Sequence, residues 1–101
     1  MAFSGGSYDE VARWLWNFLT SHAKREHPRI EVALEHVDGR LYRAQLTFGD
    51  RRSPELEFDY RDVAELRGNL DWCRELAGRV RQLAREHLLT PLAAQPTSGA
   101  R

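Results

Sequence analysis

The run from Arg29 to Phe48, RIEVALEHVDGRLYRAQLTF, constrains the fold more than any other part of the chain. Ile30, Val32, Leu34 and His36 alternate with Glu31, Ala33 and Glu35, and Tyr42, Ala44, Leu46 and Phe48 alternate with Arg43, Gln45 and Thr47. A period of two is the mark of strands with one buried face, and Asp38-Gly39 between them marks a hairpin turn. The pattern also fixes the parity of the loop. A two-residue loop would pair Val37 with Arg40 and set Leu34 opposite Arg43, mixing core with solvent, because directly opposed residues share a face. A three-residue loop, Val37-Asp38-Gly39, keeps the faces pure. Leu34 then meets Tyr42, Val32 meets Ala44 and Ile30 meets Leu46, with Gly39 at the left-handed position.

Two helices and a third strand surround this hairpin. SYDE, residues 7–10, is a capping box in which Ser7 and Glu10 exchange side-chain and backbone bonds. It opens a helix over about 8–25, closed by His22, Lys24 and Arg25 and stopped by Pro28. After the polar connection GDRRSP, ELEFDY sets Leu56, Phe58 and Tyr60 on one face and Glu55, Glu57 and Asp59 on the other, which predicts a shorter edge strand. A last helix begins near DVAE, residues 62–65. Gly68 interrupts it, at about 1 kcal/mol against alanine, and Asn69 is a good cap for a restart at Leu70. Either one kinked helix or a turn followed by a helix of about 70–89 results. Its expected inner face is Leu70, Cys73, Ala77, Val80, Ala84, His87 and Leu88.

The order is α-β-β-β-α. A three-stranded antiparallel meander with one apolar and one charged face requires both helices on the apolar face, so the fold class is α+β. The 101 residues are expected to comprise a flexible N-terminus (1–7), a single domain (8–89) and a disordered tail (90–101).

Fifteen basic residues offset fifteen acidic ones, so no long-range field draws the chain to nucleic acid or anionic membrane. A lone cysteine, Cys73, excludes an internal disulfide framework. The stretch MAFSGGS does not have the basic region and apolar run expected of a signal peptide, and no apolar run approaches the roughly 20 residues of a membrane span. The expected location is the cytoplasm.

Surface residues supply the candidate sites. At about 100° per residue, Val11, Leu15, Phe18, Leu19 and His22 cluster on one side of the first helix with Trp14 beside them, while Trp16 points about 120° away. Trp14 and Phe18 are therefore expected in the core, and Trp16 either covers the helix–sheet edge or anchors an interface. Trp72, Leu76 and Leu83 flank the last helix and either widen its core face or continue an apolar strip from Trp16, a surface suited to a homodimer. The opposite flank carries Arg67, Arg74, Arg81 and Arg85. Arg74 has Asp71 one turn back, but Arg81 and Arg85 have no acidic neighbour at helical spacing. That flank is the candidate anion or nucleic-acid contact, set against a plain solvated face.

The element order over residues 8–89 resembles that of the double-stranded-RNA-binding domain. That family carries Gly-Pro-x-His in its first hairpin loop and Lys-Lys-x-Ala-Lys at the start of its second helix. The corresponding stretches here read HVDGR and RDVAEL, so neither motif is carried over and the resemblance is one of order and length.

Nothing points to catalysis. His22 and His27 straddle a helix end, Cys73 falls on an apolar face, and SGGS does not follow a strand as a phosphate loop would. Glu31, Glu35, Glu57 and Asp59 share the outer sheet face with Arg43, where cross-strand pairing explains them. No cofactor or metal is implied. The leading expectation is a protein-interaction domain that self-associates through its helices. The alternatives are a nucleic-acid-binding module and, last, an enzyme using the acidic sheet face.

Overall fold

The computed structural model describes residues 6–89. The expected flexible N-terminus (all but its last two residues) and C-terminal tail lie outside the described residues. Helix α1 (Tyr8–Glu26) opens on the capping box, with Glu10 N–H donating to Ser7 Oγ at 3.2 Å and Ser7 N–H to Glu10 Oε1 at 3.0 Å. Strands β1 (Glu31–Val37), β2 (Leu41–Phe48), β3 (Arg51–Arg52) and β4 (Leu56–Asp59) form one antiparallel sheet. Helices α2 (Tyr60–Leu66) and α3 (Leu70–Leu83) follow, and a π-helical turn, Ala84–Leu88, completes the last element. The helices pack on one face of the sheet, so the fold is α+β in the expected order.

The hairpin has the expected parity but a register two residues along. Val37 pairs with Leu41, His36 with Tyr42, Leu34 with Ala44 and Val32 with Leu46. The loop is Asp38-Gly39-Arg40, because Asp38 as well as Gly39 takes positive φ, 55° and 66°. Two successive left-handed residues are the type I′ geometry that Asp-Gly favours, and Arg40 is the extra residue that restores the faces.

The expected third strand is present as β4, and a short additional strand, β3, forms within the expected polar connection. β3 and β4 pair with the same edge of β2, Thr47↔Arg52 and Ala44↔Leu56 marking the two segments. Between them Pro54 and Glu55 oppose the single residue Gln45, which is a β-bulge. Ser53, expected in a polar connection, is buried there.

Gly68 separates two helices rather than kinking one, and Asn69 Oδ1 accepts from Trp72 N–H at 2.9 Å as the cap of α3. The inner face of α3 departs from expectation. Leu70 is 75% exposed, Cys73 and Ala77 are half-buried and His87 is exposed. The buried positions are Leu76, Val80, Ala84 and Leu88, a strict four-residue repeat. Such a repeat drifts around a 3.6-residue helix. The π turn, closed by Leu89 N–H to Ala84 C=O at 2.9 Å, widens the last turn where Ala84 and Leu88 meet the core.

The buried residues form one cluster centred on Leu15, Leu19, Tyr42, Leu46 and Val80. At one end three phenols tie the start of α1 and the residue before its cap to the sheet and to α2. Tyr42 Oη donates to the Tyr8 carbonyl (2.7 Å), Tyr8 Oη to Leu41 (2.8 Å) and Tyr60 Oη to Gly6 (2.7 Å). No helix among the described residues is long and apolar enough to cross a membrane.

Candidate functional site

The aromatic strip of the helical layer contains Trp14 with Trp72, in place of the expected Trp16 with Trp72. The buried residues of α1 are Val11, Ala12, Leu15, Leu19 and Ala23. The centre of this face lies about 45° around the helix from that of the expected cluster Val11, Leu15, Phe18, Leu19 and His22. Trp14 then lies about 130° from the centre of that face and Trp16 about 70° on the other side. Trp14 and Phe18, expected in the core, are accordingly half-buried, as is Leu34 of β1. Trp14 stacks on Phe18 (ring centroids 5.0 Å) and on Trp72 of α3 (6.3 Å), and Phe18 packs against His22 (4.5 Å).

Trp16 is 40% exposed. Its indole Nε1 donates to the Val32 carbonyl at 2.9 Å. Val32 lies on the free edge of β1, so Trp16 covers that edge. Trp72, Leu76 and Leu83 do not continue from it: Leu76 is 5% exposed and belongs to the core, and Trp72 and Leu83 are half-buried against it.

The arginine flank is divided along α3. Arg67 lies against Gly6 at the start of α1, and Arg74 pairs with Asp71 at 3.6 Å. At the far end Glu26, the last residue of α1, reaches both Arg81 and Arg85. Arg81 Nε donates to Oε2 at 2.9 Å; Arg85 donates from Nε to Oε1 at 2.8 Å and from Nη2 to Oε2 at 3.1 Å. The Glu26 side chain is 11% exposed. Its bonds to Arg85, then to Arg81, hold the carboxyl below the ordinary carboxylate range despite burial. The acid partner missing at helical spacing thus comes from the neighbouring helix. A carboxylate at the negative end of a helix dipole is unfavourable in isolation, and that was the available signal. Beside it, burial and then the charges of Arg25 and Arg81 push the His22 imidazole down.

The outer sheet face is neutralised across strands. Arg43 Nε bonds Glu57 Oε2 at 3.1 Å and its Nη1 lies 4.0 Å from Glu35. Among the described residues no group of three or more His, Cys, Asp or Glu is placed to hold a metal ion.

A cleft of about 260 Å³ opens between β4, α2 and α3. Phe58, Val63, Leu66, Trp72 and Leu76 line it, with Glu57, Asp59, Asp62, Glu75 and Arg79 among them. These residues come from three elements, and no spacing within one element brings them together. No family model, curated protein or solved structure matches the chain.

Proposed function

We propose that the chain is a protein-interaction domain that self-associates through its helical layer. The observation that supports this reading is the Trp14–Phe18–Trp72 ladder, three stacked and half-buried rings spanning α1 and α3. Aromatic rings with one packed and one open face are enriched at interface centres. A two-fold axis across the strip would set it against its own copy. With fifteen charges of each sign, copies do not repel one another over distance. The reading places the domain in the cytoplasm, where Cys73 stays a thiol. Its Sγ donates to the Arg67 carbonyl at 3.4 Å and burial pushes its pKa up, so it acts as a small hydrophobe.

Sedimentation equilibrium tests the reading. Wild type should show concentration-dependent mass, and Trp72→Ser should remain monomeric with an unchanged far-UV spectrum. A strictly monomeric wild type at high micromolar concentration would refute it. Nucleic-acid binding through Arg81 and Arg85 ranks second, because a phosphate would have to displace the Glu26 carboxylate. Catalysis on the acidic sheet face ranks third, since Arg43 already spans Glu35 and Glu57.

A further inference from the structure

The two edges of the sheet are treated differently. On β1, the Val32 carbonyl that faces outward is taken by the Trp16 indole. On β4, Tyr60 N–H donates to the Arg40 carbonyl at 2.8 Å, continuing the ladder in which Leu41 faces Asp59 and Tyr42 faces Phe58. Bonded and non-bonded pairs alternate in an antiparallel ladder. Phe58 therefore bonds β2, and the N–H and C=O of Glu57 and the N–H of Asp59 aim at the free edge. β2 is the only strand that β4 pairs with among the described residues. The cleft opens beside this edge, with Phe58, Leu66 and Trp72 in its apolar lining.

We propose that the β4 edge and this cleft receive an extended basic segment of a partner protein as an added strand. Strand addition takes affinity from main-chain bonds and specificity from pockets for alternate side chains. The cleft is smaller than the roughly 300–1,000 Å³ of small-molecule pockets and suits one or two apolar side chains. Charge selects the occupant. Four carboxylates line the cleft against one guanidinium, Arg79. Glu57 is shared with Arg43 and Asp59 caps α2, which leaves Asp62 and Glu75 to receive lysine or arginine side chains. A second copy of β4 would bring its own Glu57 and Asp59 to the same line, and like charges directly opposed are destabilising. The edge therefore rejects self-pairing and admits a basic strand. This surface is distinct from the Trp14–Phe18–Trp72 ladder except at Trp72, and the proposal does not depend on self-association.

The test uses a synthetic hexapeptide alternating leucine with lysine and arginine, titrated into the whole chain and followed by backbone amide NMR. Shifts should appear at Glu57, Asp59, Asp62 and Glu75, and the Glu57 amide should gain protection from exchange. A peptide N-methylated at alternate residues keeps charge and side chains but not the edge bonds, and should lose binding. Asp62→Lys with Glu75→Lys, two exposed substitutions, should weaken binding by roughly tenfold or more. Four results would each overturn the proposal: no shift at these amides up to about 1 mM peptide; undiminished binding of the N-methylated peptide; undiminished binding to the double variant; equal binding of a peptide with glutamates in place of the basic residues.

Discussion

Ser53 holds two strand segments in one ladder. Its N–H donates to the Leu46 carbonyl at 2.9 Å, and its hydroxyl accepts from Leu46 N–H at 3.0 Å while donating to the Pro54 carbonyl at 2.9 Å. Its own carbonyl is turned to Gln45 Nε2 at 2.9 Å, so the hydroxyl stands in for a backbone acceptor across the bulge. Ser53→Ala should leave the buried Leu46 amide without that acceptor and cost about 1–3 kcal/mol, read from the urea midpoint at unchanged slope. An unaltered midpoint would mean that water closes the bulge equally well. Nothing in GDRRSP announces this role. A serine before a proline reads as a turn, and its burial follows from the register of β2, a long-range fact.

At the scale of elements, periodicity carried most of the fold. The capping box, the parity of the hairpin, the edge strand at Leu56–Phe58 and the Asn69 restart each rest on a local signal, and each is present. Where expectation and structure differ, the centre of a buried face lies elsewhere than the large residues suggest. On α1 Ala12 and Ala23 are buried while Trp14 is only half-buried; on α3 Leu70 lies about 80° around the helix from buried Val80 and Leu76 only about 40°, so Leu76 is the first buried position. The candidate surfaces were legible only in part. Trp72 and the arginines were visible, whereas the Glu26 bridge and the acidic cleft join elements far apart in sequence. The frame of α3 can be tested directly. Leu70→Asp, at an exposed first-turn position that favours an acid, should change stability by less than about 0.5 kcal/mol. Leu76→Asp should prevent cooperative folding by driving an unpaired charge into the core. Far-UV melting distinguishes them, and the reverse outcome would restore the 3.6-residue frame from Leu70.

For the whole molecule, the groups with shifted pKa values add two acid steps and one alkaline limb to the pH dependence of stability. His22 has its pKa lowered from 6.5, chiefly by burial. The unfolded chain therefore binds its proton first, and stability falls as pH drops through 6.5 toward the folded value. Glu26 is lowered from 4.5 by Arg85 and Arg81, so its contribution is present above 4.5 and is lost as pH falls through the lower folded value. Tyr8, Tyr42 and Cys73 are all raised by burial, from 10.0 for the phenols and 9.0 for the thiol. Each favours the neutral form in the fold, so stability falls again as pH rises past those values. Urea unfolding across the pH range should thus give a plateau between about 7 and 8.5. His22→Gln should remove the first acid step and Glu26→Gln the second, each leaving the other in place. Because both groups sit where the C-terminal turn of α1 meets α3, Glu26→Gln should also remove the carboxylate that Arg81 and Arg85 share. If Glu26→Gln bound duplex RNA more tightly than wild type and in a salt-sensitive manner, the carboxylate would be what holds the arginine flank out of that role. A variant with the same RNA affinity as wild type would leave Glu26 as a purely structural clasp between the helices.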